Sequence, residues 1–216
     1  MWIDTLFMTV LFLNRMGQKY NRQDWISESI HQVLLHIKYL YDKKTGLFYH
    51  GWTFNTRDNF GGVFWCRGNS WFTVGILEYL EMFKGSLDAG VREFIVNTYK
   101  SQVHTLKKLQ SSSGLWHTVL DDPTSYEEVS GSAAITAGIL KGIKLGILDD
   151  SCLDCAWKGV RAVMNQIDKD GTVLNVSGGT GMGADREHYK NILIAPMAYG
   201  QSLTILALIQ ALDNLN

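Results

Sequence analysis

Two kinds of helical segment alternate along the 216-residue chain, and that alternation limits the fold more than any other feature. Residues 22–41, 91–110 and 151–167 set apolar side chains three and four apart, with Lys, Arg, Glu and Gln between them. Each should turn one face to a core and the other to water. Residues 2–17, 69–84, 130–147 and 194–212 are apolar nearly all round, and most are rich in Gly and Ala. Helices of that kind are buried on most faces.

After each amphipathic segment comes a link: KTGLFYHGW at 44–52, SSGLWHTVL at 112–120 and KDGTVLNVS at 169–177. Each link begins at a turn glycine (Gly46, Gly114, Gly171) and continues as a short extended stretch. Outer helix, turn, link and inner helix recur as a hairpin repeat. The predicted fold class is therefore all-α, an α/α toroid with an inner ring inside an outer one. Four inner and three outer segments give seven helices, and residues 1–216 read as a single, partial toroid domain. An open arc leaves inner-helix wall uncovered at its N-terminal edge, so self-association or a partner chain is expected.

Charge and composition exclude other classes. Twenty Lys and Arg against 21 Asp and Glu leave a net charge of −1, which offers no basic face to a nucleic-acid backbone. A chain that is 46% hydrophobic and 19% charged can bury a core. The apolar run at 6–13 lacks a preceding Lys or Arg and a small-residue cleavage site, so it does not read as a signal peptide. No stretch reaches the roughly 18 apolar residues of a membrane span. Cys152 and Cys155 form one C-x-x-C and Cys66 stands alone, without the second pair of a zinc site. They read as structural thiols in a soluble, cytoplasmic protein.

In a toroid, the links and the inner-helix ends surround a central cleft. Trp2, Asp4, His50, Trp52, Trp65, Arg67, Asn69, Trp71, Trp116, His117, Asp121 and Asp122 fall there. Aromatic planes stack on the apolar face of a sugar, and Arg can clamp a carboxylate with two bonds. Each residue also has a plainer reading. Asp4 could cap its helix, and His50 and His117 could be packing residues. Arg67 could pair with Glu78 or Glu81, and Asp121 and Asp122, before Pro123, suit a turn. The glycine-rich stretch 178–183 lacks the Lys-Ser/Thr ending of a P-loop and reads as a flexible loop near the cleft.

WIDTLFM (2–8), GLFYHGW (46–52), FWCRGNSW (64–71), GLWHTVLDDPTSYEEVSGSAA (114–134) and SGGT (177–180) together resemble the unsaturated rhamnogalacturonyl hydrolases, glycoside hydrolase family 105. The resemblance runs through essentially all 216 residues. It implies a six-hairpin, twelve-helix toroid of which this sequence matches the C-terminal part. The implied substrate is a pectin oligosaccharide ending in a 4,5-unsaturated uronic acid, and the implied reaction is hydration of its C4=C5 bond. By the same match Asp4 is the general acid and base. His50, Arg67, Trp71, Gly179 and Thr180 line the unsaturated sugar's site, and Trp2 lies towards the leaving sugar. No metal or organic cofactor is implied. A hydrated Asp4 would be a poor acid at neutral pH, whereas burial beside Trp2 and Phe7, of the kind the N-terminal helices of a full toroid would supply, would suit it to the task. Two other readings are an inactive or sugar-binding remnant and a sugar 2-epimerase-like toroid using His50 and His117.

Overall fold

The computed structural model describes residues 1–215. A π-helical turn at Leu6–Val10 runs into α1 (Leu11–Lys19), followed by α2 (Gln23–Leu40), α3 (Cys66–Met82) and α4 (Ala89–Leu109). A two-residue ladder, β1 (Trp116–His117) with β2 (Glu127–Glu128), precedes α5 (Val129–Lys144) and α6 (Leu153–Met164). The short α7 (Arg186–Lys190) and the long α8 (Ala198–Asp213) complete the chain. The inner helices α1, α3, α5 and α8 and the outer helices α2, α4 and α6 stand in the predicted order.

The apolar sequences of α3 and α5 have the predicted consequence. Every residue of α3 from Cys66 to Leu77, and every residue of α5 from Val129 to Gly142, is buried. Close approach explains the glycines on these helices: a Cβ on Gly138 would stand 2.5 Å from the Thr73 carbonyl oxygen of α3. The core lies between the two rings, where Phe48, Phe72, Leu77, Ile95, Tyr99, Trp116 and Ile139 interlock.

Three expectations are corrected. The last inner helix was expected from residue 194 and buried on most faces, but it begins at Ala198 because 194–197 run extended past Pro196, with Ala195 donating to the Val176 carbonyl. Ile205, Leu206, Ile209 and Leu212 of α8 are exposed, as are Met8 of the π turn and Phe12 of α1. These helices flank the arc and have an inner neighbour on one side only. The second inner helix starts at Cys66, earlier than expected, which places Arg67 inside α3.

The turn glycines behave as predicted: Gly46, Gly114 and Gly171 adopt φ of +81°, +100° and +83°, the left-handed region that favours glycine. The links then pair with one another around one end of the arc. Residues 1–3 run antiparallel to 50–52, 64–66 bond to 118–120, and 176–178 bond to 193–195. All three cysteines are buried free thiols, in line with the structural reading. Among the described residues, no helix is long and apolar enough to cross a membrane.

Two stability effects follow. Gly138→Ala should force α3 and α5 apart and lower the unfolding free energy by about 2 kcal/mol or more, measured by urea denaturation. His36 of α2 is buried, and its Nδ1–H donates to the Gln32 carbonyl. Burial holds its pKa below the ordinary value of 6.5. The unfolded chain then binds the extra proton first, so this contribution is complete above about pH 6.5 and is lost as pH falls towards the lower folded value. His36→Gln should flatten the stability profile over that interval.

Candidate active site

Backbone pairing brings the first two candidates together. Ile3 N–H donates to the His50 carbonyl at 3.0 Å, Trp52 N–H to the Met1 carbonyl at 2.9 Å, and Trp2 faces Gly51 in an antiparallel bridge. Asp4 leaves this pairing as the chain enters its first helix. Its carboxylate makes no cap. Oδ1 accepts from Trp71 Nε1 at 3.1 Å, and Oδ2 lies 3.1 Å from His50 Nε2. The side chain keeps 20% of its exposure, enough to touch a ligand while its flanks are protein. Phe7 packs on Trp71 with ring centroids 4.9 Å apart, while Trp2 and Trp65 lean on His50 at 5.9 and 4.5 Å. The wide π turn begins two residues after Asp4, a distortion frequent at functional sites.

His50 is 1% exposed and bonded at both nitrogens. Its Nδ1 lies 2.6 Å from the Tyr189 hydroxyl, whose oxygen accepts from Gly183 N–H at 3.0 Å. Burial pushes the Tyr189 phenol up to about 12, so it keeps its proton at neutral pH.

Arg67 is 3% exposed and sits between the rings of Trp65 and Tyr199, with Cζ 4.4 and 4.7 Å from their centroids. Nη1 donates to Ser130 Oγ, to the Ser177 carbonyl and to Ser177 Oγ; Nη2 donates to the Gly178 carbonyl at 2.7 Å. Its ion-pair partner is the fully buried Glu128, 3.7 Å away. Glu78 and Glu81 pair instead with Lys141. The guanidinium thus holds the chain's own loop and does not present an open fork.

That loop is not the loose segment expected from its glycines. Arg67 grips its start, Tyr189 accepts from Gly183, and Thr180 Oγ1 lies 2.6 Å from His188 Nε2. Met182 fills the space beside Gly51, where a Cβ would fall 1.7 Å from its sulfur. Gly179 is exposed and unconfined. Gly181 lies against the Trp2 ring, 3.5 Å from where its Cβ would stand, so the loop passes over the Asp4 side of the rim.

Other candidates prove structural. Asn69 clamps the backbone N–H and carbonyl of Phe48, and Trp116 Nε1 donates to the Leu106 carbonyl. His117 bonds the Ser125 carbonyl, and Trp52 packs on Tyr39. Asp122 accepts from Thr124 within its turn and pairs with Lys190, while Asp121 pairs with Arg186. Both aspartates thereby fasten α7, which carries Tyr189. The Lys190 ammonium, with Thr124, holds the Asp122 carboxyl below the usual range. Tyr189, Glu128, Ser177 and Tyr199 were missed. Tyr189 stands in the charged run DREHYK, where one aromatic residue was the available sign of a buried anchor.

Hairpins of inner and outer helices, with an aspartate offered at the end of an inner helix among aromatic rings, define the α/α-toroid class of carbohydrate-active proteins. The family model described as Glycosyl Hydrolase Family 88 matches residues 1–215, and the chain belongs to that family. It is 33% identical over 209 residues to the unsaturated rhamnogalacturonyl hydrolase YesR of Bacillus subtilis, taking in 95% of this chain and 58% of that protein. It is 30% identical over 189 residues to an unsaturated 3S-rhamnoglycuronyl hydrolase of Formosa agariphila, covering 81% of this chain and 50% of that one. A crystal structure from Salmonella enterica, described as a possible member of family 105, is 41% identical with a TM-score of 0.97 over all of this chain and 57% of its own. The chain spans between half and three fifths of the length of these relatives.

Arg67→Met should leave Glu128 as a buried carboxylate without its cation and cost about 3 kcal/mol. Faster amide exchange over residues 177–183, read by mass spectrometry, should accompany that loss.

Proposed function

We propose that this chain carries the acid/base half of a glycosidase that removes a terminal 4,5-unsaturated uronic acid from rhamnogalacturonan oligosaccharides. The observation that carries this reading is Asp4, a partly exposed carboxyl group held by the Trp71 N–H and a His50 ring nitrogen beside an aromatic wall. The B. subtilis and F. agariphila relatives bear names of the same substrate type.

The unsaturated sugar is a vinyl ether, so its C4 accepts a proton and its C5 then accepts water. Asp4 delivers the proton to C4 and takes one back from the water as the C5–O bond forms. The resulting hemiketal opens and the sugars part. One carboxyl group can serve both roles, unlike the paired carboxylates of ordinary glycoside hydrolysis. Trp71 and His50 orient Asp4, and Trp2, 41% exposed, offers its face to the leaving sugar. Gly179 and Thr180 supply loop contacts to the unsaturated sugar. Arg67 serves by holding that loop at Ser177 and Gly178 and by lending it positive charge. Three unpaired thiols suit a reducing, cytoplasmic setting, and the exposed apolar flanks of α1 and α8 favour association with another chain.

The test follows the ultraviolet absorbance of the conjugated double bond in an unsaturated rhamnogalacturonan disaccharide. Asp4→Asn should slow loss of that absorbance by about 10²-fold or more relative to the native chain. Turnover unchanged in Asp4→Asn would overturn the assignment of the acid. Turnover that survives Asp4→Asn but disappears in His50→Ala would point to histidine chemistry of the epimerase kind. Disaccharide bound without absorbance loss would mark a sugar-binding module.

A further inference from the structure

Resting on that reading, we propose that Tyr189 is a positioning residue that keeps His50 from taking the proton Asp4 must deliver. The basis is the bookkeeping of one buried chain of hydrogen bonds. Gly183 N–H can only donate, so the Tyr189 oxygen accepts it. Tyr189 is fully buried, and among the described residues the acceptor in reach of its own proton is His50 Nδ1 at 2.6 Å. A buried hydroxyl left without an acceptor is costly. Nδ1 is therefore the bare nitrogen, Nε2 carries the hydrogen, and that hydrogen points to Asp4 Oδ2.

The direction of this chain has a chemical consequence. A bare Nε2 would take a proton from Asp4 and leave an aspartate unable to protonate C4. With Nε2 already protonated, His50 could gain a charge only by placing a second proton on Nδ1. That proton would face a phenol oxygen already occupied by Gly183 and would strand the phenol's own hydrogen. The rings of Trp2 and Trp65 on the remaining faces of His50 supply no acceptor for that second proton, and the anion in reach, Asp4, already faces Nε2. Asp4, the one carboxylate on the ring, thus keeps its role as proton carrier. The same phenol joins the glycine-rich loop to the site, because Gly183 must be seated for the chain to be complete.

Fifteen-nitrogen NMR of histidine-labelled full chain tests this without substrate, and so independently of the proposed reaction. At neutral pH His50, assigned through His50→Gln, should show a bare Nδ1 and a protonated Nε2. In Tyr189→Phe the ring should lose that fixed state and become doubly protonated or exchange between forms. With the unsaturated disaccharide, kcat of Tyr189→Phe should fall about tenfold, the scale of one buried hydrogen bond, with KM nearly unchanged. Lys144→Ala, which removes an ion pair to Asp213 between α5 and α8 and touches neither α7 nor the phenol, should leave both the His50 signals and kcat close to native. A proton on Nδ1 in the native chain overturns the proposal, as do Tyr189→Phe spectra identical to native.

Discussion

The site depends on one buried ion pair. Arg67 and Glu128 are buried together where the second and third inner helices meet the glycine-rich loop. Such a pair costs desolvation energy unless nearly every donor and acceptor is used. Here they are: Glu128 accepts from Ser130 N–H and Oγ, Gly131 N–H and Ser177 N–H, and Arg67 covers Ser177 and Gly178. Ser177 bonds to both members, so the loop cannot leave without stripping hydrogen bonds from two buried charges. The pair thus fixes the start of a loop whose other end reaches Tyr189 and, through it, His50 and Asp4.

Seen this way, Asp4 is positioned twice. Short antiparallel pairing of residues 1–3 with 50–52 sets its backbone, and side chains from α3 and the link set its carboxylate. Neither device alone defines both oxygens. The first lets Asp4 enter the helix at the rim, and the second decides that Oδ1 meets an indole and Oδ2 an imidazole.

Local chemistry in the sequence made the ring of helices legible. The period of apolar residues separated α2, α4 and α6 from α3 and α5, and Gly46, Gly114 and Gly171 marked the links through a conformation that other residues resist. Asp4, His50 and Trp71 were legible as rim residues because they stand beside those marks. What stayed hidden depends on contacts between distant segments. Arg67 appears in the sequence as a free cation near Glu78 and Glu81, yet Glu128, Ser177 and Gly178 surround it, up to 111 residues away. Tyr189 looks like part of a solvated charged run, and only the pairing of Asp121 and Asp122 with Arg186 and Lys190 turns it inward. The apparent mobility of 178–183 misled for the same reason: glycines permit freedom, but here they permit the close passage of Met182, Gly181 and Gly183 over the rim.

The two flanks of the arc have unequal bearing on this site. Met8 of the π turn and Phe12 of α1, and Ile205, Leu206, Ile209 and Leu212 of α8, are exposed although their composition suits burial. Yet the bonds that hold Asp4, His50, Trp71 and Tyr189 come from the first helix, its link, α3, α7 and the glycine-rich loop. Covering α8 would bury apolar area and add stability without adding a bond to Asp4. Asp4 itself begins the helix that leads to Met8, with its bonded partners on the α3 side. Whatever packs against the free side of that helix would therefore change how much water reaches the carboxyl group, while the tyrosine-to-histidine chain that orients it stays as the protein's own.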